Sequence, residues 1–124
     1  MKVQSYRDLV AWQKSMDLAV AIHRVAISFP RSELFGLTSQ LNRAAVSIPS
    51  NIAEGHGRRT TNDYIHFLTI SRGSLNEVET QLTLAHRYDY ISEAVHCDLL
   101  ELCAEVGRIL SGLIESLKRR ISTP

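Results

Sequence analysis

Leu41-Asn42-Arg43-Ala44-Ala45-Val46-Ser47-Ile48-Pro49-Ser50-Asn51-Ile52-Ala53-Glu54-Gly55-His56-Gly57-Arg58-Arg59 reads as a helix running into a basic elbow. Leu41, Ala44, Ile48 and Ile52 recur at steps of three and four, the spacing of one helix face. Pro49 interrupts that pattern. It removes a backbone donor and crowds the carbonyl of Ala45, at a cost of ~3 kcal/mol unless compensated. Ser47, Ser50 and Asn51 carry short polar groups able to bond to nearby backbone, so the expectation is a kinked or broken helix. Gly55 and Gly57 stop it, and Thr60-Thr61-Asn62-Asp63 offers capping oxygens to a following helix.

That following helix carries Tyr64, Leu68, Ser71, Leu75, Val78, Leu82 and Ala85 in an unbroken four-three repeat. Gly73 sits among good helix formers at a cost of ~1 kcal/mol, which points to a tight helix–helix crossing. Upstream, a helix is expected from about Asp8 to Ser28, ended by Pro30. It bears two apolar stripes: Leu9, Trp12, Met16, Ala19, His23 and Ala26, then Leu18, Ile22, Val25 and Phe29. So wide an apolar surface implies contacts inside the bundle and beyond it. Downstream, after a turn near Asp89 to Ser92, Val95, Leu99, Leu102, Val106, Ile109 and Leu113 mark a fourth helix, with Leu100, Cys103, Leu110, Ile114 and Leu117 beside them. Lys118-Arg119-Arg120 closes it with the charge sign a helix C-terminus prefers. Short connections make neighbours antiparallel. The expected fold is all-α, an up-down-up-down four-helix bundle with a Pro-kinked second helix, as one domain over residues 1–124.

A chain of 124 residues can bury a core without disulfides or metals. Cys97 and Cys103 lie six residues apart on one helix, roughly 9 Å along its axis, too far for a bridge. Both read as small core residues of a chain kept reduced. The start, Met1-Lys2-Val3-Gln4-Ser5-Tyr6-Arg7-Asp8, lacks an apolar signal core, and no apolar run approaches ~18 residues, so the expected location is the cytoplasm, with no membrane span. The net charge of +1 hides a polarity. Residues 75–105 hold one arginine, Arg87, against seven acids, whereas residues 38–74 hold four arginines against two acids. Such a chain can present a basic face to nucleic acid, or set basic and acidic faces of neighbouring copies against each other. The pI of about 7.9 lies below the values above about 9 of dedicated nucleic-acid domains.

Chemistry-bearing motifs are sparse. Di-iron bundles pair Glu-x-x-His motifs in mid-helix. Here Glu93-Ala94-Val95-His96 and the looser Asp63-Tyr64-Ile65-His66 fall in first helical turns, where acids are favoured by the helix dipole. No metal and no cofactor is therefore expected. Ser71 and Ser74 have no nucleophile elbow around them, and Gly55-His56-Gly57 is too short for a phosphate loop. A nuclease built on Glu54, His56 and Arg58 is the third choice, and the expectation is a non-enzyme. The strongest functional feature is the basic set Arg43, His56, Arg58, Arg59 and Arg72, because arginine presents a planar fork suited to phosphate. One of Glu77, Glu79 and Gln81 is expected to anchor Arg43 or Arg58.

Three blocks of the chain resemble a known family. Leu41 to Val46 leading into Ser47–Gly55 and Arg58, then Gly73-Ser74-Leu75-Asn76-Glu77-Val78-Glu79-Thr80-Gln81-Leu82 with Tyr90-Ile91, and the opening Tyr6-Arg7-Asp8-Leu9-Val10-Ala11-Trp12-Gln13-Lys14 are similar to the 23S rRNA-intervening-sequence proteins. Pro49, Asn51, Glu54, Gly55, Gly73 and Glu77 are the motif positions, and His56 stands where the family often has an aromatic residue. The resemblance implies a four-helix bundle, a homopentameric ring and no catalysis. Through the related accessory variability determinants of diversity-generating retroelements, it implies RNA or DNA and a reverse transcriptase as partners. The resulting expectation is a ring-forming adaptor that binds nucleic acid through a basic surface; a protein-interaction scaffold, whose charge polarity serves self-assembly alone, is the alternative.

Overall fold

The computed structural model describes residues 5–122. Four helices make the body: α1 (Val10–Ala26), α2 (Leu37–His56), α3 (Thr61–Arg87) and α4 (Glu93–Ser122). Single 3-10 turns at Tyr6–Asp8 and Arg31–Glu33 precede α1 and α2. The first of these is locked reciprocally, Ser5 Oγ accepting from the Arg7 N–H and Asp8 Oδ2 from the Ser5 N–H. The first α-helix thus begins two residues later than the sequence suggests, because Tyr6 to Asp8 close a tighter turn.

Interhelical contacts fix the topology. Ser47 meets Ser74, and eight residues further along α2 Gly55 lies against Phe67. Leu75 touches Gly107, whereas Thr83 touches His96. Lys14 pairs with Glu105 at 3.0 Å, and Phe29 lies 5.5 Å from Tyr90. Along each pair one index rises as the other falls, so neighbours run antiparallel and the bundle is up-down-up-down. At one end Glu33 joins three segments: its Oε1 accepts from the Leu37 N–H (3.1 Å), capping α2, and its Oε2 accepts from Tyr90 Oη (2.8 Å). Asp89, at φ 64°, makes the sharp turn between α3 and α4, in a conformation that Asp tolerates better than most residues.

One core runs through the bundle. Leu18 and Ile22 of α1, Leu41, Ile48 and Ile52 of α2, Leu68, Val78 and Leu82 of α3, and Val106, Leu110 and Ile114 of α4 are all but fully buried. On α1 the core takes Leu18 and Ile22 of the second apolar stripe, with Ala11, Ser15 and Ala26. Pro49 does not break α2, which is one helix from Leu37 to His56. Side chains serve the carbonyls around it: Asn51 Nδ2 donates to Ser47 O (2.8 Å) and Ser71 Oγ to Ile48 O (2.9 Å).

Two sequence expectations need correcting. Gly73 marks no crossing: it faces solvent, and a Cβ there would have nothing within 4 Å. The tight approach is at Gly55, where a Cβ would stand 2.8 Å from Phe67 Cβ and 3.2 Å from the Tyr64 carbonyl. Cys103 is in the core, where burial pushes its thiol up to about 12, but Cys97 is exposed. Cys97 lies two residues, about 200° of helix, from the buried Leu99.

Candidate functional site

At the elbow α2 ends on Gly57, and Thr60 Oγ1 accepts from the Asp63 N–H (3.1 Å) to start α3. The glycine at position 55 lets α3 come close enough to bring Phe67 under Arg58, whose guanidinium lies 4.6 Å from the ring centroid. Arg58 also pairs with Glu54 one turn back. Both partners are about half exposed, so the pair holds the guanidinium in place without adding more than about 1 kcal/mol. His56 meets Tyr64 edge to face at 5.7 Å. The Tyr64 hydroxyl is buried without a hydrogen-bond partner among the described residues; burial pushes its pKa up, and the Arg120 charge pulls it back. Arg59 is exposed and has no ion-pair partner among the described residues.

The remaining arginines of the expected set lie elsewhere. Arg43 is fifteen residues before Arg58, about 22 Å along the helix axis. Arg72 lies about 100° round α3 from Ser71 and about 160° from Ser74, the two residues that bond to α2, so it stands off that face. The set Arg43, His56, Arg58, Arg59 and Arg72 is thus not one patch. The antiparallel order brings a different set together: the elbow, the start of α1 and the end of α4 share one end of the bundle, so Arg7, Arg58, Arg59, Lys118, Arg119 and Arg120 gather there with Glu54, Asp63 and Glu115. The signal was available, since an up-down order puts the end of the fourth helix beside the second connection. Reading Lys118-Arg119-Arg120 only as a helix-terminal charge missed it.

Two concave features lie on either side of α2. The larger, about 700 Å³, runs between α1 and α2 and is lined by Trp12, Met16, Val20, Val46, Pro49 and Ala53 among others. It is where the first apolar stripe of α1 faces: Trp12 and Ala19 are half-buried, Met16 and His23 exposed. Val20 and Val46 on its lips are also exposed. The smaller cleft, about 290 Å³, lies between α2 and α3 and is polar, lined by Gln40, Arg43, Ser47, Ser74, Glu77 and Gln81 with Ala44. In its floor Ser47 Oγ and Ser74 Oγ are 2.8 Å apart, and Asn51 Nδ2 donates to Ser47 Oγ (2.9 Å). Gln81 Oε1 is closed off from solvent and has no hydrogen-bond partner among the described residues.

The expected anchoring of an arginine by Glu77, Glu79 or Gln81 is not found. Arg58 takes Glu54 on its own helix, and no ion pair among the described residues joins Arg43 to α3. Arg43 and Glu77 face the cleft from opposite helices beyond ion-pair reach. Ser71 and Ser74 spend their hydroxyls on bonds between α2 and α3, which ties them to packing. No group of three or more His, Cys, Asp or Glu among the described residues is placed to hold a metal ion. His96, of the Glu93–His96 motif, stacks on His86 at 4.6 Å and lies 3.2 Å from Thr83 Oγ1, closing the α3–α4 corner. No described helix is long and apolar enough to cross a membrane.

Fold and surface define a class, an all-α bundle whose distinctive features are an apolar groove, a polar cleft and a basic end. Residues 7–112 match the family model described as 23S rRNA-intervening sequence protein, and the chain belongs to that family. Among solved structures, one similar to this chain is a protein of unknown function from the S23 ribosomal protein family of Bacteroides thetaiotaomicron VPI-5482. The two are 27% identical with a TM-score of 0.80, over 86% of this chain and 96% of that one. No curated protein matches the chain.

Proposed function

We propose that this protein is a non-enzymatic adaptor that assembles with copies of itself into a closed ring and binds RNA or DNA through its arginines. The observation that carries the reading is the α1–α2 groove. It is open, apolar and flanked by exposed Met16, Val20 and Val46, so an apolar side chain of another copy has a seat there. Its counterpart lies in the α1–α2 connection of the same chain, where Phe35 is 94% exposed and Leu34 and Ile27 are exposed as well. A knob on one copy entering a groove on the next is a head-to-tail contact, and head-to-tail contacts close into rings where the rotation permits. A pentamer, as the family resemblance implies, would repeat the basic end five times around one rim and turn a modest cluster into a continuous positive surface.

The scaffold reading, in which charge serves assembly alone, draws on a specific observation: Arg58 is already paired with Glu54, and Arg43 and Arg72 face different sides. Fluorescence anisotropy of labelled structured RNA and duplex DNA across a salt series separates the two. The adaptor binds with an affinity that falls log-linearly with salt, and falls further in an Arg58→Ala/Arg59→Ala variant. Absence of binding at low salt leaves the scaffold, with a protein such as a reverse transcriptase as the partner to test next.

A further inference from the structure

Arg58 is held on two sides at once. Its guanidinium carbon stands over the Phe67 ring, 4.6 Å from the centroid, and its Nη2 donates to Glu54 Oε1 one turn back. Phe67 is itself half-buried, with its Cβ against Gly55, so the ring is a fixed backing. The Arg58 side chain nevertheless stays 44% exposed. With a ring on one side and a carboxylate at one nitrogen, that exposure lies on the side turned away from Phe67.

What the open side can take follows from charge. Glu54 already matches the guanidinium, and its carboxylate repels a phosphate brought to the same place. An unpaired base is neutral, and bases stack on guanidinium planes as they do on aromatic rings. The arginine cation is planar, delocalised and weakly hydrated, so a ring covers it at little cost in hydration. A base on the outer side completes a stack of base, guanidinium and Phe67 ring. The surroundings fit a strand. Arg59 is exposed next in sequence, and Arg120 comes near enough to act on Tyr64 of the same elbow, so cations for phosphates flank the stacking face. His66, exposed and edge to face with Phe67 at 5.6 Å, adds another planar group. Planar side chains set among cations are the means by which proteins hold single strands.

We infer that Arg58 is a stacking platform for one unpaired base, and that the elbow takes single-stranded nucleic acid with Arg59 and Arg120 on its phosphates. The inference rests on the nucleic-acid reading above and adds to it the form of the strand and the role of one residue. Inside a duplex the bases are already stacked on both faces, so the platform has nothing to take there. Every base has a π-face, so the contact carries little sequence preference.

Anisotropy with two labelled strands of equal length and charge tests it: oligodeoxythymidine, and a strand of tetrahydrofuran sugars that carry no base. At one salt concentration, wild type is expected to bind the strand with bases about tenfold more tightly, within the range of one stacked base. Arg58→Lys keeps the charge and removes the plane. It should bring oligodeoxythymidine down to the level of the base-free strand and leave the base-free strand unmoved, whereas Arg59→Lys should keep the preference. Circular dichroism checks that both variants retain their helical content. Equal, salt-sensitive binding of both strands by wild type, or tighter binding of the base-free one, overturns the platform and leaves the adaptor reading standing. A preference that survives Arg58→Lys, or that Arg59→Lys removes as well, also overturns it, since the discrimination then does not come from the Arg58 plane. If neither strand binds at low salt the platform is overturned, and the adaptor reading falls with it only when structured RNA and duplex DNA fail to bind too.

Discussion

Gly55 and Gly73 look alike in the sequence, each a glycine within a helical pattern, and the structure separates them by what stands opposite. A methyl at position 55 would meet Phe67 Cβ at 2.8 Å and backbone at 3.2 Å, neither of which can swing aside. Gly55→Ala is expected to destabilise by about 1–3 kcal/mol, the usual cost of overpacking, with a lower Tm. Gly73→Ala meets nothing within 4 Å and should stabilise by about 0.5–1 kcal/mol through helix propensity alone. Glu33 gives a prediction in pH. The Leu37 N–H first, and the Tyr90 hydroxyl second, hold its carboxyl below its usual 4.5. The folded state therefore favours the ionised form, whose contribution is complete above the unfolded value and is lost as pH falls through the folded one. In urea titrations the stability gap between wild type and Glu33→Gln should be widest above 4.5 and should close at lower pH.

At the scale of elements, α1 shows how far the sequence could be read. Two apolar stripes were visible, and a surface so wide could not all fit one core. Which stripe would be buried was not visible, since Trp12 and Met16 are as apolar as Leu18 and Ile22. The choice is made by α2 and α4, which pack on the Leu18–Ile22 side and leave Trp12, Met16 and Val20 on the groove. The helices and the α3 stripe were legible because each follows from local periodicity. The polar cleft was not, because it is made by residues distant in sequence that only the antiparallel register brings level, and the basic end was legible only by joining the up-down order to the Lys118-Arg119-Arg120 run. The groove and the Phe35 knob predict a complementation result. Val20→Glu on the groove lip and Phe35→Glu on the knob should each abolish self-association in sedimentation velocity without lowering Tm, since both side chains are exposed. Mixed together, the two variants should recover one contact, the intact knob of one with the intact groove of the other, and sediment as a dimer. A mixture that stays monomeric, or single variants that still form large assemblies, would place the interface elsewhere.

For the whole molecule, the proposed binding of nucleic acid has to be reconciled with a net charge of only +1. Local charge decides it, since exposed charges more than about 8–10 Å apart are largely screened at physiological salt. The acidic residues 75–105 span most of α4's first half and the far part of α3, whereas Arg59 and Arg120 lie at the elbow end, so the acids weaken the basic end only slightly. If phosphates sit on that end, each lost contact removes a fixed increment from the salt dependence, about 0.9 per phosphate on duplex DNA and about 0.7 on single strands. Arg59→Ala with Arg120→Ala should then flatten the slope of log affinity against log salt by about two such increments. Arg72→Ala, a charge of the same kind turned to another side of α3, should leave the slope unchanged. The contrast matters because all three substitutions alter net charge in the same direction. An equal, graded loss in every variant would mean that only total charge is felt, and binding would then be non-specific attraction to the whole surface. A loss confined to Arg59 and Arg120 assigns the phosphates to the end of the bundle that the up-down topology assembles.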